Sequence, residues 1–137
     1  MSYDLYLLPL NDNATADDAN ALLESLDGNG DPALQQQIVN ALMTHDPRLL
    51  PFDRDFAAIA EFEGTTVDEA KLKWGSTELN GPDDAKLAQF QISGNSACIH
   101  WYSGTTPEEM QQYLEIICRV SGFAVYDPQE MTIRRYS

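Results

Sequence analysis

The amino-acid sequence predicts an α+β fold, a mainly antiparallel sheet with helices on one face. Three observations carry this. Short runs of alternating apolar residues interleave with helical apolar stripes, in the order strand, two helices, an irregular middle, two strands, helix and strand. The length of 137 residues suits one hydrophobic core. A composition of 43% apolar and 22% charged residues belongs to a folded chain rather than a disordered one. One domain spanning residues 1–137 is expected.

The first strand is read over Ser2 to Leu10, where Tyr3, Leu5 and Leu7 share one face, Asp4 and Tyr6 the other, and Pro9 halts pairing. Thr15 with Asp18 imitates a capping box and opens a helix whose stripe is Ala19, Leu22, Leu23 and Leu26. Asp27-Gly28-Asn29-Gly30 ends it, and Asp31-Pro32 caps a second helix with the stripe Leu34, Ile38, Ala41 and Leu42, closed by Asp46-Pro47. From Arg48 to Lys86, prolines and glycines cut the chain into short pieces. There Phe56, Ile59 and Ala60 suggest a short helix, while Val67 to Trp74 is open between a helical turn and a strand.

Ala88 to Ile92 and Ser96 to Tyr102 flank Gly94-Asn95 and read as a β-hairpin. Thr106-Pro107-Glu108-Glu109 combines an N-cap, a proline at the first helical position and a capping-box glutamate. Met110, Tyr113, Leu114, Ile117 and Val120 form the stripe, and Gly122 stands at the left-handed C-terminal cap. Phe123 to Tyr126 is the next strand, and Met131 to Tyr136 an edge strand carrying Arg134 and Arg135. This order is that of a ferredoxin-like βαββαβ sandwich with an extra helix inserted after the first.

Charge narrows the choice of partner. With 8 Lys and Arg against 22 Asp and Glu, the net charge is −14, which disfavours nucleic acid and anionic membrane surfaces and favours a basic protein. Met1 to Leu10 carries Asp4 and no Lys or Arg, unlike an export signal, and no apolar run nears the roughly 18 residues that cross a bilayer. Cys98 and Cys118 form no CxxC pair and read as reduced thiols of a cytoplasmic protein.

Motifs for chemistry are sparse. Asp27-Gly28-Asn29-Gly30-Asp31 opens like a calcium loop, but Pro32 stands where glycine is needed and Ile38 where a bidentate glutamate is needed. His45 and His100 lack metal-ligand spacing, and Gly28 and Gly30 lack the rest of a phosphate loop. No metal, no cofactor and no catalytic residue is assigned. Cys98, His100 and Tyr102 share a face if their strand is regular, and are the residues of a ligand-binding or catalytic alternative. That alternative requires side-chain contact and an orienting third group.

Surface character remains. Acidic clusters at Asp12 to Asp18, Asp53 to Glu63 and Glu78 to Asp84, with exposed-looking Trp74, suggest recognition of a basic protein through Asp17, Asp18, Glu61, Glu63, Trp74, Glu78, Asp83 and Asp84. Plain solvation of a negative surface is the competing explanation.

Ser2-Tyr3-Asp4-Leu5-Tyr6, Glu78-Leu79-Asn80-Gly81-Pro82 and the closing Gly122-Phe123-Ala124-Val125-Tyr126-Asp127-Pro128-Gln129 carry a resemblance. The chain resembles a family of small uncharacterised bacterial proteins that begin SYDLY and close GxxVYDPQ. The resemblance covers the first strand, the hairpin region and the last helix and strand, and implies element order without catalytic residues. By analogy with small acidic bacterial proteins made beside toxins, it suggests an immunity-type inhibitor. Mimicry of nucleic acid is a third reading, next to the inhibitor and the hairpin site.

Overall fold

The computed structural model describes residues 3–52 and 54–136. Ser2, where the first expected strand begins, and Asp53, first of one acidic cluster, lie outside the described residues. In chain order the elements are β1 (Tyr3–Leu8), α1 (Ala16–Ser25), α2 (Pro32–His45), β2 (Leu50–Pro51), α3 (Phe56–Glu63), α4 (Val67–Trp74), β3 (Thr77–Asn80), β4 (Gln89–Ile92), β5 (Ala97–Trp101), α5 (Pro107–Ser121), β6 (Ala124–Asp127) and β7 (Thr132–Arg134). The strands form one sheet in the order β2-β3-β4-β5-β1-β6-β7, and neighbouring strands are antiparallel.

The α+β class holds, with α2 and α5 laid on one face. Ile38, Val39 and Leu42 of α2 and Met110, Tyr113, Leu114 and Ile117 of α5 bury against Leu5, Leu7, Phe90, Ile92, Ile99 and Val125. The placement of every helix on that face is overturned by α1. Strand β1 is apolar on both sides, so Leu8 and Tyr6 need cover opposite Leu5 and Leu7. Ala19, Leu22, Leu23 and Leu26 of α1 provide it, packing with Leu8 and Tyr126 in a second small core, and the Tyr126 hydroxyl donates to Asn20 Oδ1 at 2.9 Å.

Local signals set the helix ends. Thr15 with Asp18 and Thr106 with Glu109 form reciprocal capping boxes, and Gly122 adopts φ 76° at the end of α5. Thr106→Ala should therefore lower unfolding free energy by about 1 kcal/mol. Urea melts check this, and an unshifted midpoint would mean that the cap contributes nothing.

The middle segment resolves into structure that periodicity did not reach. Val67 to Trp74, left open between helix and strand, is α4, N-capped by Thr66 accepting from the Glu69 amide. Four-residue β3 and two-residue β2 extend the sheet beyond β4. Both owe their conformation to ladder bonds, since runs this short carry no usable alternation.

Candidate functional sites on the hairpin and the open sheet face

Helices α3 and α4 pack together as a helical hairpin turned at Gly64, which takes φ 71°. Each fully buries only one alanine, Ala60 and Ala70, with Phe56 and Ile59 partly buried, and several large apolar side chains stay outside. Phe62 is 90% exposed, Leu72 65%, and Trp74 40%. Around them stand Glu61, Glu63, Asp68 and Glu69, with Lys71 and Lys73 as the cations of the hairpin. Trp74 Nε1 donates to Glu63 Oε1 at 2.8 Å, and Lys73 Nζ lies 3.2 Å from Glu63 Oε2 and over the Trp74 ring. Those bonds, that from Trp74 foremost, hold the Glu63 carboxyl below its ordinary range. The hairpin is tied to the body by Asn29 Nδ2, which donates to the Lys71 and Leu72 carbonyls, and by Arg54, which donates to the Trp74 carbonyl and lies 3.7 Å from Glu78.

The eight acidic and aromatic residues expected to bind a partner divide into three groups. Glu63 and Trp74 meet on the α3–α4 hairpin, and Glu61 lies on the same helix as Glu63. Asp17 and Asp18 stand in the first turn of α1, where Asp18 completes the capping box on Thr15. Glu78 and Asp83 line a cavity of about 650 Å³ together with Phe52, Asn80, Lys86, Gln89 and Tyr102, and Asp84 follows in the same loop. Phe62 was not singled out from sequence. The signal was present, because it falls off the stripe of Phe56, Ile59 and Ala60 in a helix otherwise rich in apolar residues.

The second region is the sheet face opposite α2 and α5, beside the part that α1 covers at Tyr6, Leu8 and Tyr126. Antiparallel register places Tyr6 opposite Cys98 and Asp4 opposite His100, while Gln91 and Gln89 flank the same two residues from β4. His100 Nδ1 lies 2.8 Å from Asp4 Oδ1, and its Nε2 lies 4.0 Å from Cys98 Sγ. The contact and the orienting group required of a Cys/His pair are both present. Tyr102 does not join them: β5 ends at Trp101, and Tyr102 turns to the cavity wall instead. Asp4, the orienting group, was not foreseen because it lies 96 residues away in sequence. Burial pushes the Cys98 thiol up to about 12, with the Asp4 carboxylate adding to the rise, and burial also raises the Tyr6 hydroxyl. Cys98 and Cys118 are both free thiols, as expected from their spacing.

Among the described residues no group of three or more His, Cys, Asp or Glu side chains is arranged to hold a metal ion, and no helix is long and apolar enough to cross a membrane. The fold and these two regions define an α+β protein with an acidic, aromatic helical hairpin beside an open polar sheet face. No protein family, curated protein or solved structure that was compared matches the chain.

Proposed function

We propose that this is a cytoplasmic protein-interaction module that binds a basic protein through the α3–α4 hairpin, most concretely an acidic immunity-type inhibitor of a basic toxin or enzyme. The observation that carries the reading is Phe62, 90% exposed at the end of a helix and framed by carboxylates. Leaving so large an apolar ring in water costs solubility, and exposed apolar groups among charged ones are the usual anatomy of a binding surface. Phe62 and Leu72 would supply the buried contact, Trp74 an anchored aromatic, and the acids the orientation of approach. The net charge of −14 favours encounter with a positive partner. A ferredoxin-like reading of the fold is supported by the central strand order β6-β1-β5-β4, with a helical connection between β1 and β4 and another between β5 and β6.

The test is co-purification of the tagged chain from its host at low and high salt. One basic protein recovered in near-equal amount and released by salt is the expected result. Against that purified partner, Phe62→Ala should weaken binding about 10-fold, which is about 1.4 kcal/mol. Its unfolding free energy should stay within about 0.5 kcal/mol of the parent, because the ring contacts water rather than the core. Unchanged affinity in Phe62→Ala and Leu72→Ala would overturn the hairpin as the contact, and recovery of the chain alone would overturn the module itself. Displacement of the partner by DNA or RNA would favour nucleic-acid mimicry.

A further inference from the structure

Independently of the hairpin, the open sheet face brings together the parts of a nucleophilic site. We infer that Cys98 is an acyl-accepting nucleophile, with His100 as its general base and Asp4 as the positioning residue, acting on activated acyl esters or thioesters. The geometry assigns the roles. Asp4 Oδ1 accepts from His100 Nδ1, so the imidazole proton stays on that nitrogen and the lone pair of Nε2 faces Sγ of Cys98. The same carboxylate stabilises the imidazolium that forms when the thiol proton moves.

The site sits where β1 and β5 pair, and both strands are held by neighbours on either side, β6 beyond β1 and β4 beyond β5. Its geometry is therefore fixed by the sheet rather than by a loop. Backbone amides of a central strand are engaged in the ladder, so donors to a developing oxyanion must be side chains. Gln91 and Gln89, opposite Cys98 and His100 on β4, carry the amide groups suited to this. Gln89, which pairs with His100 across the ladder, also lines the cavity formed with Phe52, Glu78, Asn80, Asp83, Lys86 and Tyr102, a place for the remainder of an acyl substrate. Titratable and charged groups at this face besides the pair include Asp4 and Tyr6 of β1, Glu78 of β3 with its ion-pair partner Arg54, Asp83, Lys86 and Tyr102 around the cavity that Gln89 lines, and, one strand further, Tyr126 of β6.

The reaction balances without an outside oxidant or reductant. The thiol proton passes to Nε2 as Sγ bonds to the acyl carbon, the tetrahedral intermediate collapses, and the carbon–oxygen bond of an ester breaks. The departing oxygen takes the proton from Nε2. Water, deprotonated by the same nitrogen, then cleaves the thioester and returns the carboxylic acid and the free thiol. Because desolvation holds the Cys98 thiol neutral at rest, proton transfer to Nε2 within the pair should make the rate level off with rising pH. A thiol reacting unassisted would instead gain about tenfold per pH unit up to its own high pKa.

The probe is p-nitrophenyl acetate with the full chain, read as p-nitrophenolate release and as acetyl mapped to a residue by mass spectrometry. The expected result is one acetyl on Cys98, a plateau in the pH profile, and a rate about 100-fold lower in His100→Ala. Asp4→Asn should move the plateau as well as the rate, which a merely structural role would not do. His100→Gln, which keeps a hydrogen bond to Asp4, gives the same comparison if His100→Ala is not folded by circular dichroism, and Cys118→Ser should react like the parent. Equal rates in the parent and the folded His100 variant would overturn the assignment. So would acetylation elsewhere than Cys98, or a rate that keeps rising with pH.

Discussion

Asp46→Ala is expected to lower the unfolding free energy by about 3 kcal/mol at neutral pH. Asp46 is 8% exposed at the C-terminal end of α2, and its carboxylate is shared between two elements. Oδ1 accepts from the Arg48 amide at 3.1 Å and from Arg48 Nε at 2.9 Å, while Oδ2 accepts from Arg48 Nη2 at 2.8 Å and from the Tyr113 hydroxyl at 2.5 Å. Tyr113 lies in the core on α5, edge-on to Phe90 with ring centres 5.0 Å apart. Alanine at position 46 would leave that hydroxyl buried without an acceptor, whereas half-exposed Arg48 would regain water. Much of the loss should therefore return in Asp46→Ala with Tyr113→Phe, and a double-mutant cycle in urea measures the coupling. An unshifted midpoint in Asp46→Ala would show that the carboxylate does not join α2 to α5.

The same carboxylate makes stability depend on acid. Hydrogen bonds from Arg48 first, with that from Tyr113 adding, hold the Asp46 carboxyl down at about 2 against the opposing effect of burial. Its folded value is below the unfolded one, so its contribution is complete above about pH 4 and is lost as pH falls towards about 2. Thermal melts of the parent and Asp46→Ala should therefore converge across that interval, and a gap that persists at pH 2 would refute the linkage.

Gly94→Ala should cost a similar amount, about 3 kcal/mol, by forcing two backbones apart. The turn between β4 and β5 crosses the loop between α1 and α2, with Gly30 and Gly94 forming a bridge and the Gly94 amide donating to the Asn29 carbonyl at 2.5 Å. A methyl on Gly94 would stand 2.1 Å from the Asp31 carbonyl oxygen and 2.3 Å from its nitrogen. These are backbone atoms, which cannot rotate away as a side chain end can. Gly64→Ala is the control: it has the same demand for positive φ as other helix-ending glycines but open space around it, and should cost about 1 kcal/mol. If both substitutions shift the urea midpoint equally, the crossing contributes nothing to stability.

The contrast between these positions explains what could be read early. The start and end of α5 were legible because Thr106, Pro107, Glu109 and Gly122 act within one turn of themselves. The hairpin of β4 and β5 was legible for the same reason. Gly30 and Gly94 each looked like part of an ordinary turn, and nothing within a few residues of either shows that they meet. At the open face, alternation put Cys98 and His100 on one side of β5 and Asp4 and Tyr6 on one side of β1. Only the register of β1 against β5 brought Asp4 to His100.

Local chemistry in the chain thus determined the class of fold, the helix caps, the free thiols and the acidic surface, since caps, alternation and charge are properties of neighbouring residues. Tertiary structure decided the rest. Which face α1 covers depends on β1 being apolar on both sides of a sheet that must first assemble. The strand character of Thr77 to Asn80 depends on its ladder with β4. The exposure of Phe62 depends on α3 burying Ala60 rather than that ring, and the Asp4–His100–Cys98 contact on a strand pairing between residues 96 positions apart. Interactions between distant residues leave no period in the sequence, because they are selected by packing the whole chain at once.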